Sequence, residues 1–274
     1  MNLVWAALVV AGATALAIAA MLLVRRNAPD GSYFADGDRA SGFFGVLATG
    51  FAILIGFVIF LAFESFDQSR SGAEAEALVV TQQFETAQLL PQAVRSRLGG
   101  ELVCYARSVV HQEWPAMEAG NQGDVINAWG VRLFRTIQGV DPKTAAEQSA
   151  YDKWLDETSA REEARLDRLH GAEGVIPSTV WIVLFFIAGI VFVSMLFFAD
   201  SGERAVTQAV MVGSAVAVIV TTLLVLRTLN SPFHEGVGSL KPTAMERTLD
   251  LVAQARVVVG DRSAVPCDAQ GVAS

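Results

Sequence analysis

Charge is what this 274-residue chain has little of. Only 18% of its residues are charged, against 53% apolar; an ordinary soluble protein carries about a quarter charged. A chain this apolar is neither disordered nor an ordinary soluble globule. Positive charge is the scarcer sign, with 20 Lys plus Arg against 28 Asp plus Glu and a net charge of −8. That excludes nucleic acid as a partner. Two cysteines exclude a disulfide-stapled scaffold and a thiolate metal cluster. Strand patterns are missing: there is no apolar/polar alternation and no Asn-Gly turn between β-branched runs. Catalytic signatures are missing too, among them Walker A, GxGxxG after a strand, HExxH and GxSxG. His111, His170 and His234 lie far apart without metal-ligand spacing. No cofactor, metal or enzymatic activity is expected.

Long apolar runs are what the chain does have. A bilayer core about 30 Å thick needs roughly 20 apolar residues of helix, and four stretches qualify: 3–24, 42–63, 176–199 and 205–226. None contains Asp, Glu, Lys or Arg, and each is bounded by charge, at Arg25-Arg26, Glu64, Asp200 and Arg227. The first run is too long for a signal-peptide h-region and lacks a basic n-region, so it reads as a span. The expected fold is an all-α membrane protein with four transmembrane helices. Its expected divisions are a first helix pair (1–63), a polar insert (64–175), a second helix pair (176–227) and a tail (228–274).

The insert alternates helical signals with breakers. Helices are expected over 71–90, ending at Pro91, and over 92–112, with Leu98, Leu102, Tyr105 and Val109 on a 3–4 spacing. Glu113-Trp114-Pro115 reads as a stop. Two more helices follow, over 124–138 and 144–170. The last has Tyr151, Leu155, Thr158, Leu166 and Leu169 on one side and a favourable Glu157–Arg161 pair. If the first and last insert helices extend the spans, the insert stands as a stalk. The tail has one short helix near 243–258 and a polar end expected to fray. Cys104 on the second insert helix and Cys267 in the tail are each expected as a free, small, buried hydrophobe; a bridge between them is the lesser alternative and requires an oxidising compartment.

Spans without ionisable groups argue against ion-coupled transport. They leave a passive channel with an apolar constriction, or a scaffold that moves nothing. Small residues repeat every four positions at Ala209, Gly213 and Ala217 in the fourth span, and in the pairs Gly45-Thr49 and Ala52-Gly56 in the second, as close helix packing requires. Phe51, Phe57, Phe60 and Phe63 accompany the second stripe. They are candidate pore-lining residues, since apolar rings gate by dewetting. Glu64 and Asp67 are candidate charges at the pore mouth. The insert carries 18 acidic and 11 basic residues, a sign that concentrates cations.

Several stretches resemble the bestrophin-like family of four-span membrane proteins. Glu74-Ala75-Glu76-Ala77-Leu78 resembles the family's Glu-Ala-Asn-Ala-Leu after span two, with Glu76 in place of Asn. Tyr105, Val109-Val110, Glu113-Trp114-Pro115 and Met117 match its Tyr…Val-Val…Glu-Trp-Pro-x-Met block. Leu229-Asn230-Ser231-Pro232-Phe233 resembles its Leu-Asp-x-Pro-Phe segment after span four, although Gly236 falls one residue later than the family's glycine. The resemblance implies a homo-oligomeric ion channel, pentameric as bestrophins are, in the lipid bilayer, conducting inorganic ions through a pore lined by span two. The bland reading of the motif residues is structural. Trp114 packs on the stalk, Glu113 caps a helix or pairs with an arginine such as Arg107, and Pro232-Phe233 turns the tail onto the bundle. The rival function is a non-conducting scaffold whose acidic insert binds a partner protein.

The expected location is a bacterial plasma membrane. Arg25, Arg26, Arg39 and Arg204 fall in the two short loops, which favours those loops inside and the insert and tail outside, although the tail brings Arg227, Lys241 and Arg247 to that outer side. The resemblance pulls the other way, since bestrophins keep their large polar part cytoplasmic.

Overall fold

The computed structural model describes residues 2–121 and 127–274. Among these the regular structure is helical, and the single β feature is an isolated bridge between Cys267 and Ala273. The helices are α1 (Leu3–Arg25), α2 (Gly37–Ala87), α3 (Gln92–Ser108), α4 (Trp114–Glu118), α5 (Ala128–Gln138), α6 (Ala145–His170), α7 (Ser178–Leu196), α8 (Ala205–Leu229) and α9 (Thr243–Val258). Residues 124–126 of the helix expected over 124–138 lie outside the described residues.

Among the described residues four helices are long and apolar enough to cross a membrane: α1, α2, α7 and α8. Contacts divide the chain into two compact units. The apolar unit holds Met1–Glu64, Val175–Asn230 and Gly236–Gly238; the polar unit holds Ser65–Gly174, Ser231–Glu235 and Ser239–Ser274. The tail is therefore no separate segment, because most of it folds with the insert.

Continuity of span and insert helix occurs at only one of the two joints. α2 runs unbroken for 51 residues, since its interior holds no proline. At the other joint α6 stops at His170 and α7 begins after Pro177, where the ring lacks an N–H to continue a helix behind it. The amides of Val175 and Ile176 in this break donate to the Asn230 side-chain oxygen at 2.9 and 2.7 Å. One carboxamide thus satisfies two amides at the entry to a span, where an orphan would be costly.

Within the apolar unit, α1 packs on α8. Ala17 and Met21 meet Val212 and Val216, and a Cβ on Gly213 would lie 3.0 Å from the Ile18 side chain. Gly213 is thus a true close-packing residue, with Ala209 and Ala217 half-buried beside it. A second cluster joins Phe51, Ile55, Val58 and Ala62 of α2 to Leu184, Val191 and Leu226.

The polar unit has its own core, built on Leu98, Leu102, Tyr105, Trp114, Trp129, Leu133, Trp154 and Phe233. The expected stop at Glu113-Trp114-Pro115 is not one. The chain passes through a π-turn (Val109–Glu113) into α4, and Pro115 sits at the second position of that helix, where a missing N–H costs nothing. π-turns are rare and accompany functional sites. The buried face of α6 is the expected one only in part. Tyr151, Leu155 and Leu169 pack half-buried against the core, Leu166 is exposed, and the fully buried side is Ala150, Trp154, Glu157, Arg161, Ala164 and Arg168. The Glu157–Arg161 pair gives way to other partners: Glu157 is held by Thr86 and Lys153, and Arg161 by Gln83 and Glu162.

Candidate functional site

The α2 helix presents two opposite faces. At about 100° per residue, Phe57, Phe60, Glu64 and Asp67 fall on one side, and all four are exposed on the chain. Phe57 is 61% exposed, Phe60 60% and Phe63 54%. Phe51 is only 6% exposed and packs with Ile55 inside the apolar unit. It lies nine residues from Phe60, half a turn out of phase, so in the chain it is a core residue on the face opposite the exposed rings. The open aromatic stripe runs into carboxylates within two turns.

Small residues flank that stripe. Ala52 is exposed, and a Cβ added at Gly45 or Gly56 would meet nothing within 4 Å. Among the described residues nothing packs closely on Gly45 or Gly56. An apolar groove of about 640 Å³ runs beside it, between α2, α7 and α8, walled by Phe44, Ile59, Met195 and Val218 and holding the hydroxyls of Ser214 and Thr222.

The family-motif residues gather elsewhere, in the polar unit. The Arg168 guanidinium is 0% exposed. It donates to both oxygens of Glu76 at 2.5 and 3.1 Å and to Glu113 at 2.7 Å. Glu113 also takes a bond from Asn127 at 2.7 Å and pairs with Arg165 at 3.2 Å; Arg107, its expected partner, instead bonds the Asp268 carbonyl. The Tyr105 hydroxyl donates to Glu76 at 2.6 Å. Burial, then the Glu76 charge beside it, raises the Tyr105 pKa well above its ordinary value. Arg168 is raised as well: burial alone would lower it, and the two carboxylates outweigh that. This is a structural cluster of buried ions whose hydrogen bonds are satisfied, as burial of charge requires. Trp114 sets its ring edge-on against Phe233 at 5.4 Å, so Pro232-Phe233 returns the tail to the polar unit's core and not to the span bundle. Glu74 points outward and pairs with Arg70 at 3.2 Å.

Arg168 was not singled out in the sequence, and Glu76, Arg161 and Asn230 were named there without the roles they have. The 3–4 spacing of positions 150, 154, 157, 161, 164 and 168 was available, but three of those residues are charged, and no apolar periodicity marks the face. A cavity of about 520 Å³ lies in the polar unit between α3, α5 and α6. Arg161 stacks over the Tyr105 ring at its edge, 4.8 Å from the centroid. Among the described residues no group of three His, Cys, Asp or Glu is placed to hold a metal.

The two cysteines are not free. Cys104 and Cys267 form a disulfide, and the end of the tail does not fray. Trp129 Nε1 donates to the Gly271 carbonyl at 2.6 Å and Gln112 Nε2 to the Gln270 carbonyl at 2.9 Å. Gly271 has φ of 81°, and a Cβ there would lie 2.9 Å from the Ser108 Cα. Only glycine fits both the backbone and the space.

The bestrophin-like domain model matches residues 11–245. Solved structures of a bacterial bestrophin homologue from Klebsiella pneumoniae share the fold. A leucine-to-threonine mutant aligns at a TM-score of 0.69 with 13% identity, covering 89% of this chain and 98% of its own. An isoleucine-to-threonine mutant aligns at 0.70 with 13% identity, covering 89% and 99%. A tryptophan-to-alanine mutant aligns at 0.64 with 15% identity, covering 89% and 97%. No curated protein matches the chain in sequence. With the four apolar helices, the polar helical unit and a family match over most of its length, the chain belongs to the bestrophin-like family.

Proposed function

We propose that the protein is a passive ion channel of a bacterial plasma membrane, built from several copies of the chain around α2. The observation that carries this is the outward face of α2, on which exposed Phe57 and Phe60 are followed by exposed Glu64 and Asp67. In a single chain these rings meet nothing that explains them. Repeated around an axis, they form an apolar constriction with a carboxylate ring beyond it, the arrangement by which pores gate and select. Phe63 sits at the edge of that face. Gly45, Ala52 and Gly56 supply the shallow neighbouring surface on which the next copy can approach closely. A pentamer is the assembly that the family resemblance implies. Charge-free spans suit conduction down a gradient and give a pump nothing to protonate. The carboxylate ring and the acidic insert favour cations.

Planar-bilayer recording under asymmetric KCl tests the reading. Unitary current reversing on the potassium side is expected from the wild type. Phe57→Ala with Phe60→Ala should raise conductance or abolish closure, and Glu64→Gln with Asp67→Asn should move the reversal potential toward zero. Silence from a well-folded oligomer, the Phe variant included, would overturn it and leave the scaffold, with the polar unit as its docking domain.

A further inference from the structure

The disulfide is the feature that the channel reading does not absorb. Its two ends are Cys104 on α3 and Cys267 in the tail, 163 residues apart. Both belong to the polar unit, and the relative exposures are 0% and 7%. They are the only cysteines in the chain, so there is no third thiol to exchange with them. The segment they anchor has little else of its own. After α9 ends at Val258 the chain has no further helix, and it is fastened by hydrogen bonds from Arg107, Gln112 and Trp129. A buried bridge of this kind is a permanent staple. An exposed pair beside a resolving thiol would instead be a switch.

Such staples form in oxidising compartments, and the cytosol keeps thiols reduced. Chain crossing puts both cysteines on one side, because the two helices α7 and α8 separate the insert from the tail. The short loops at the opposite ends of the spans carry Arg25, Arg26, Arg39 and Arg204, against Arg227, Lys241 and Arg247 on the tail side; the four arginines lie in the shorter loops, which agrees with those loops lying in the cytoplasm. They are also tied to each other: Arg25 donates to the Ser201 carbonyl at 3.0 Å, and the Gly31 amide donates to Asp200 at 3.0 Å.

We propose that Cys104 and Cys267 are a substrate pair for an extracytoplasmic thiol–disulfide oxidase, and that the polar unit they close faces the extracytoplasmic side. One cysteine thiolate attacks the oxidase disulfide and forms a mixed disulfide, releasing one oxidase thiolate. The second cysteine thiolate attacks the protein sulfur of that bond and expels the other oxidase thiolate. The two protein thiols lose two electrons and two protons; the oxidase disulfide gains both electrons and leaves as a dithiol. This topology is the reverse of what the bestrophin resemblance implies. It stands or falls without reference to conduction.

The test uses the full chain in bacterial cells, with and without the periplasmic thiol oxidase. Cells are acid-quenched, denatured and treated with polyethylene glycol maleimide without prior reduction. The expected count is no added label in the normal strain and two in the strain lacking the oxidase. In parallel, Asp156→Cys on the exposed side of α6 and Asn27→Cys in the first short loop are exposed to a membrane-impermeant maleimide on intact spheroplasts. Labelling at position 156 and none at position 27 is expected. Two labels on the wild type in the normal strain would overturn the proposal, as would protection of position 156 with labelling of position 27. An oxidation state indifferent to the oxidase would overturn the enzyme's part in it. All the cysteine additions sit at surface positions and leave the native pair intact, so folding is not put at risk.

Discussion

Arg168→Met isolates what the buried ion cluster contributes. The wild-type guanidinium spends three hydrogen bonds on Glu76 and Glu113. After the change, Glu113 keeps Arg165 and Asn127, and Glu76 keeps only the Tyr105 hydroxyl. A carboxylate that is 0% exposed then stands without a cation. Removing one partner of a buried pair costs about 3–5 kcal/mol. In a unit of about 150 residues each kcal/mol moves the Tm by about 2–4 °C, so the polar unit should melt roughly 10 °C lower. Scanning fluorimetry reads this directly, since Trp114, Trp129 and Trp154 all lie in that unit's core. Two further results are required by the same reasoning. Adding Glu76→Gln to Arg168→Met should recover more than half of the loss, because the orphaned charge is gone while Tyr105 keeps a partner. The single variant should also recover as pH falls. An uncompensated buried carboxylate has its folded pKa raised above the unfolded value of about 4.3. The deficit is therefore full at pH 7.5 and shrinks as pH drops through the raised value. A melting point within 1 °C of wild type, or a deficit unchanged down to pH 5, would refute the account.

Two other outcomes follow from local geometry. Asp261 accepts from Arg256 at 2.8 Å and from Ser263, and these bonds outweigh its partial burial to lower its pKa to about 2. Its stabilising effect is present above the unfolded pKa of about 3.9 and is lost as pH falls through about 2, so the Tm gap between wild type and Asp261→Asn should be constant above about pH 5 and close toward pH 2. Gly72 of α2 faces the α6 backbone so closely that a Cβ would lie 2.8 Å from the Ala164 carbonyl oxygen. Gly72→Ala should lower the polar unit's melting point by more than 5 °C, whereas Gly130→Ala, whose Cβ has 3.5 Å or more on every side, should leave it unchanged or raise it slightly.

The four apolar helices were legible because a run of about 20 apolar residues has few alternatives to spanning a bilayer as helix. The break at Pro91 was legible for an equally local reason, the missing N–H. The tail helix over 243–258 appears with those bounds. In the candidate site, the outward Phe57, Phe60, Glu64 and Asp67 share a face by helical phase alone. Which face turned inward was another matter. Phe51 was counted with the pore-lining rings because local sequence does not say which side of α2 meets α7 and α8.

Chain-distant chemistry escaped altogether. Arg168 is buried because Glu76 stands opposite it, 92 positions away, and a lone arginine in a helical sequence carries no mark of that partner. Cys104 and Cys267 read as free thiols for the same reason, since 163 residues of sequence conceal a contact that folding makes. Asn230 gave no hint that its side chain would cap the entry to a span 54 residues earlier. Sequence by itself determined the four apolar spans, the break at Pro91 and the tail helix, all consequences of neighbours within a few turns or of solvent. Tertiary structure alone decided which charges could be buried, which cysteines met and which face of α2 was left open, because each depends on groups that only the folded chain brings together.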